Sequence, residues 1–165
     1  MLQHVRYDSE TRDAYARNEL PPEQMEQMKA EEQEILTVSV NGYGKRTSAY
    51  EYRITGRGGS GIANMELTDK TGPAVVASFP VLHEDGVMLV TDAGKLIRTS
   101  VESVRVVGRK TQGVMLLRTA EDERVMSVAR LADLGGADEN AGQADGGEEG
   151  EGETGAEAPA GSGEA

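Results

Sequence analysis

The chain has 165 residues, no Cys, no Trp and one Phe, and its 17 Lys and Arg against 29 Asp and Glu leave a net charge of −12. That composition excludes disulfide frameworks, thiolate metal sites and cysteine nucleophiles. No apolar run approaches the roughly 18 residues of a membrane span, and Met1–Arg6 leads into no signal-peptide apolar stretch, so a soluble cytoplasmic protein is expected. The charge is unevenly spread: residues 1–34 carry 4 basic and 9 acidic groups, 35–131 carry 13 and 10, and 132–165 carry none and 10. The net values are −5, +3 and −10, so a mildly basic middle lies between acidic ends.

Residues 1–34 read as an acidic linker with a helix. Leu20-Pro21-Pro22 stops any helix entering from the N-terminus. Pro22 suits the first turn of a new helix running from Glu23 to about Glu34, rich in Glu, Gln, Met and Ala. Met25, Met28 and Ile35 give it a thin apolar stripe suited to docking.

Residues 35–131 read as all-β. Ile35–Val40 alternates and is β-branched, and Asn41-Gly42 follows as a hairpin turn. Further strands are expected at Ile62–Leu67, Ala74–Phe79, Val87–Thr91, Lys95–Thr99, Val114–Arg118 and Val125–Leu131. Turns fall at Thr71-Gly72-Pro73, Glu84-Asp85-Gly86 and Asp92-Ala93-Gly94. Residues 132–165 hold 10 Gly and 10 acidic residues. Such a segment cannot bury enough apolar area to offset chain entropy and is expected to be a disordered, solubilising tail.

The middle repeats itself at an offset of 52 without a gap, with 11 identities over the 45 positions from Ile35/Val87 to Phe79/Leu131. Three of the repeated pairs are arginines: Arg46/Arg98, Arg53/Arg105 and Arg57/Arg109. A period near 50 with several short strands describes a blade of a propeller-like array, one at 35–81 and a second at 82–131. Two blades leave two raw flanks, so the chain is expected either to be part of a larger ring or to associate.

The repeated residues suggest a ligand. Gly56-Arg57-Gly58-Gly59-Ser60-Gly61 is a Gly-rich loop with one guanidinium, and Gly108-Arg109-Lys110-Thr111-Gln112-Gly113 is its second copy with two cations. Backbone amides at Gly56, Gly58, Gly59, Gly61, Gly108 and Gly113 could approach a phosphate while Arg57 and Arg109 fork onto its oxygens. Alternatively the glycines only make tight turns and the arginines are solvated. The candidate anion-binding residues are Arg57, Arg109 and Lys110, then Lys45, Arg46 and Arg98. Arg53 and Arg105 are also candidates, although Glu51 or Glu102 could neutralise them. Tyr43, Tyr50 and Tyr52 are read as packing residues. His4 and His83 lack ligand-spaced partners, so no metal is expected.

Ile35-Leu36-Thr37-Val38, Asn41-Gly42-Tyr43-Gly44-Lys45-Arg46-Thr47, Glu51-Tyr52-Arg53 and Gly56–Gly61 resemble the C-terminal domain of DNA gyrase A. So do Gly94-Lys95-Leu96-Ile97-Arg98-Thr99 and Gly108–Val114, and the resemblance covers about 35–131. It implies a β-pinwheel domain that wraps double-stranded DNA on a basic rim, here similar to its last two blades with an acidic tail. The helix at 22–34 is similar to an insertion before those blades. The implied function is DNA binding and wrapping within a type II DNA topoisomerase, supporting ATP-dependent negative supercoiling by the parent enzyme. The implied partners are the remaining gyrase A region and gyrase B in an A2B2 heterotetramer, associated with the chromosome. ATP and Mg2+ would act elsewhere in that parent, with no cofactor in this chain, and the tail would compete with DNA for the rim.

Three departures qualify the resemblance. The hallmark Gln-Arg-Arg-Gly-Gly-Lys-Gly box is absent, and Gly56–Gly61 and Gly108–Gly113 resemble only its degenerate copies. The first four blades and the breakage-reunion core with its catalytic Tyr are absent. Arg6-Tyr7 echoes the context of that nucleophile, but Asp8-Ser9 does not, so Tyr7 is read as a linker residue. The competing reading is a propeller-like protein-interaction scaffold, which a net charge of +3 over 35–131 leaves open. An enzyme acting alone would need a nucleophile, base and orienter set, and the sequence offers none.

Overall fold

The computed structural model describes residues 6–132. The tail beyond 132 and His4 lie outside the described residues. Two short helices precede the strands. The first, α1 (Ser9–Ala16), was not expected from sequence; it starts where the Asp8 carboxylate accepts the Thr11 N–H at 2.7 Å, a side-chain cap. It ends at Arg17, after which Asn18 takes a left-handed φ of 59°. The second, α2 (Pro22–Glu31), begins on Pro22 as expected but stops short of Glu34, which already belongs to the first strand.

Seven strands follow: β1 (Glu34–Ser39), β2 (Tyr43–Ser48), β3 (Val75–Val81), β4 (Gly86–Thr91), β5 (Leu96–Ser100), β6 (Val114–Met115) and β7 (Val125–Leu131). They form two antiparallel sheets, ordered β3-β1-β2-β6 and β5-β4-β7. The all-β, propeller-like architecture is therefore observed, with one blade per repeat. The blades exchange a strand: β6 comes from the second repeat but pairs with β2 of the first, Gly44 opposite Val114.

That exchange explains a correction. The expected strand Ile62–Leu67 is irregular in the structure. Its counterpart in the second repeat is β6, which is a strand because β2 lends it hydrogen bonds. Among the described residues no β2-like strand lies beside 62–67 to do the same. A strand is a property of a pair, and local β propensity does not supply the partner.

The repeat is also not gapless. Ile35 faces Thr47 and Val87 faces Thr99, so the hairpins keep the offset of 52. Thr71 and Glu123 keep it too: each accepts the N–H three residues before it, Thr68 at 2.7 Å and Ala120 at 2.9 Å. Beyond them Ser39 faces Val75 while Thr91 faces Val125, an offset of 50. The second copy is two residues shorter between these points, so the matches Val76/Val128 and Ala77/Ala129 are not structural equivalents. An even shift preserves which face each side chain takes.

One apolar cluster joins the blades: Leu36, Val38, Val81, Val87, Leu89, Val101, Val104, Leu117 and Val125. In the repeat Leu36 and Val38 correspond to Met88 and Val90, whereas Val87 and Leu89 correspond to Ile35 and Thr37. One face of the first blade therefore packs on the opposite face of the second, as in a propeller.

Candidate nucleic-acid interface

The candidate cations separate into two groups. Lys45 is fully buried. Its Nζ donates to the carbonyl of Gly108 at 2.7 Å, to that of Arg109, and to Thr111 Oγ1 at 3.4 Å. Burial pulls its ammonium down to about 8, opposed by Glu51 and aided by Arg109. Arg46 is 5% exposed. Its Nε donates to Val104 O at 2.6 Å, Nη2 to Glu102 O at 3.1 Å, and Nη1 to Glu34 at 2.6 Å. Both are withdrawn from the anion-binding set, because their donors are spent on the second repeat and, for Arg46, on Glu34 as well, and both side chains are buried.

Arg109 is pinned between the repeats. Its backbone N–H donates to Glu51 Oε2 at 3.0 Å and its Nη1 to Ala63 O at 3.0 Å. Its guanidinium stands 5.8 Å from the Tyr52 ring centroid. Glu66 N–H also donates to Thr111 O at 3.2 Å. The second Gly-rich turn thus lies along residues 63–66, which continue from the first, so the two turns share one edge of the blade pair.

Gly113 shows how closely the repeats approach there. Its φ is +78°, and a Cβ would strike the carbonyl of Gly44. Gly61, its equivalent, has a φ of +77° and open space around it, and Gly56 and Gly58 likewise meet nothing. Gly59 has only the Gly56 carbonyl near it, and Gly108 only the Glu51 carboxylate. The first loop is therefore open, and the second is built into an inter-blade joint.

Arg53, Arg57, Arg98, Arg105 and Lys110 are exposed, and within the described residues their side chains hold no hydrogen bond or ion pair. Glu51 and Glu102 do not neutralise Arg53 and Arg105: Glu51 binds the Arg109 N–H and Glu102 lies 3.5 Å from His83. Lys70 and Arg118 join the free cations and were not singled out from sequence. The repeat hid them, since Lys70 aligns with Asp122 and Arg118 with Glu66. The other cations of the blades are committed: Lys95 to Glu123 at 2.9 Å, Arg130 to Asp85 at 2.6 Å and 3.1 Å, and Arg124 to the carbonyls of Glu121 and Glu123.

A cavity of about 470 Å3 lies between α1 and the first blade, lined by Arg12, Asp13, Glu32, Glu51, Arg53 and Arg109 among others. Its carboxylates match its guanidiniums in number, so it is no pocket for a polyanion. Among the described residues no cluster of His, Asp and Glu could hold a metal ion, and no helix is long and apolar enough to cross a membrane.

The family model of the DNA gyrase C-terminal domain, a β-propeller, matches residues 33–72 and 87–132, just over half of the chain. The chain belongs to this family. It is 49% identical over 126 residues to the DNA gyrase A protein of Granulibacter bethesdensis, covering 76% of this chain and 13% of that protein. It is 53% identical over 113 residues to the gyrase A protein of Rickettsia prowazekii, covering 68% of this chain and 12% of that protein. The chain thus spans only a small part of the length of these gyrase A relatives. A solved DNA gyrase A C-terminal domain superposes with a TM-score of 0.57 at 29% identity, over 61% of this chain and 34% of the other. The C-terminal domain of DNA topoisomerase IV shares the fold, with a TM-score of 0.55 at 19% identity over 59% of this chain and 30% of that one.

Proposed function

We propose that this gyrase-family chain binds and wraps duplex DNA by phosphate contacts from the free cations of its two blades. The observation that carries this reading is the set of exposed, unpartnered cations Arg53, Arg57, Arg98, Arg105 and Lys110, joined by Lys70 and Arg118. Free guanidiniums on a rigid β scaffold suit phosphate oxygens, and such contacts position a duplex without reading its bases. Bending DNA around such a scaffold costs on the order of several kcal/mol over 20–30 bp, which many weak contacts must offset. On this reading the chain acts with the rest of gyrase A and with gyrase B on the chromosome, where it supports ATP-dependent negative supercoiling. ATP and Mg2+ act elsewhere in that assembly. The acidic segment 132–165 competes with DNA for the cations at high effective concentration.

Duplex binding across a salt series tests this. The folded chain should bind at low salt with a steep log–log slope, and Arg57→Ala, Arg98→Ala and Lys110→Ala should each flatten the slope by about one charge. Lys45→Met, at a buried site, should leave the slope unchanged while the fold holds. Residues 1–131 should bind more tightly than 1–165. No binding by the folded chain at low salt would leave the protein-interaction scaffold as the reading to pursue.

A further inference from the structure

Within the joint between the blades, one arginine of the first blade binds two carbonyls of the second. Arg46 of the first blade donates Nη2 to Glu102 O at 3.1 Å and Nε to Val104 O at 2.6 Å. Around it Arg46 N–H donates to Arg105 O at 3.0 Å and Val107 N–H donates to Arg46 O at 2.8 Å. The corresponding carbonyls of the first repeat belong to Tyr50 and Tyr52. These two carbonyls are also occupied by an arginine, but one from outside the repeat. Arg12 of α1, 7% exposed, donates Nη1 to Tyr50 O at 3.3 Å and to Tyr52 O at 2.7 Å. Tyr15 and Tyr7 pack edge-on against Tyr50 at 5.2 Å and 5.7 Å, and their hydroxyls donate to Glu32 at 2.9 Å and Glu31 at 3.0 Å.

The opposite flank of the pair carries the other half of the same joint, with no partner among the described residues. Arg98 is the repeat of Arg46, and Thr99 and Ser100 repeat Thr47 and Ser48. Arg98 is exposed with no side-chain bond among the described residues, and Leu96, where β2 has buried Gly44, is 59% exposed. Met88 faces Arg98 as Leu36 faces Arg46, so the backbone N–H and C=O of Arg98 point to the free edge, as those of Arg46 point to residues 105–107. An open edge of this kind is a template for another strand.

We infer that α1 is a cap that imitates a neighbouring blade: Arg12 occupies the docking flank of the first blade and keeps it from the β4–β5 hairpin of a second copy of this chain. The occupant follows from the repeat, because Arg98 and its hairpin are the copy of the unit that fills this kind of flank inside the molecule. Arg12 and a second copy's Arg98 compete for the same two carbonyls. Contact of this type joins unlike surfaces, so copies add head to tail rather than pairing symmetrically.

Sedimentation of the full chain over a concentration series tests the cap, at salt high enough to screen the net charge of −12. Wild type should remain monomeric. Arg12→Ala should at least double its weight-average mass as concentration rises, and Arg12→Ala with Arg98→Ala should return to monomer. Circular dichroism on the same samples reports folding. A second variant, Asp8→Ala with Tyr15→Ala, loosens α1 by removing its cap and one ring contact with Tyr50, keeps Arg12 and the Tyr50 and Tyr52 carbonyls, and should also associate. The inference is overturned if the folded variants stay monomeric. It is equally overturned if wild type associates as strongly as Arg12→Ala, or if removing Arg98 leaves the association intact.

Discussion

Strands β2 and β5 carry the same Arg-Thr-Ser triplet and meet opposite fates. Arg46 and Thr47 are buried, bonded to Glu34 and to the carbonyls of Glu102, Val104 and Val107. Arg98 and the residues beside it lie at an exposed edge. The difference is the neighbour. The second repeat sends residues 102–115 across β2, and no described segment crosses β5. In a repeat fold, burial belongs to the interface between units, so identical residues can be structural in one unit and available to a ligand in the next.

The largest test of this contrast compares the two arginines. Arg46→Ala leaves the half-buried Glu34 carboxylate and two carbonyls without their donor and should cost about 3–5 kcal/mol. Arg98→Ala should stay within about 0.5 kcal/mol. Chemical denaturation of the two variants gives the comparison, and equal losses would break it.

The paired glycines sharpen the contrast. Gly61→Ala faces only the left-handed backbone penalty, about 1–2 kcal/mol. Gly113→Ala adds a collision with the Gly44 carbonyl and should cost clearly more. Equal melting temperatures would mean that the blades separate more easily than the contacts indicate.

Lys45 and Ile97 occupy equivalent positions, and only Lys45 titrates. The unfolded chain holds its proton up to the ordinary 10.5, while the folded chain releases it near 8. Between those values the unfolded state binds more protons, so the Lys45 contribution to stability rises with pH and is at its lowest below about 8. The difference between wild type and Lys45→Met, followed by unfolding from pH 7 to 10.5, should grow in favour of wild type.

The smallest effect lies at the equivalent turns of Thr71 and Glu123. The Glu123 carboxylate is held down to about 2 by the Thr91 hydroxyl, the Ala120 amide and Lys95, against the usual 4.5. Its stabilisation is present above 4.5 and lost as pH falls through 2, a loss that Glu123→Gln should not show in acid unfolding. Thr71→Val should show no such acid dependence.

Much of this was legible in the residues. The hairpins, the Asn41-Gly42 turn, the blade period and the two Gly-rich loops follow from local pattern. Lys45 carried its own warning, since its repeat partner is Ile97 and an apolar equivalent signals a buried site. Arg46 carried none, because its partner is another arginine. Arg12 has no counterpart in the repeat, since α1 lies outside it, and chance matches cover the two-residue slip before β3 and β7.

Alternation, turn chemistry and repeated residues are local and survive without partners, so the β blades and the family could be read from the chain alone. Packing settled the rest: which cations are free, which repeat's fourth segment becomes a strand, and what covers the first flank. Those outcomes depend on which unit lies alongside, because hydrogen bonds and burial are shared between two surfaces and neither surface specifies them alone.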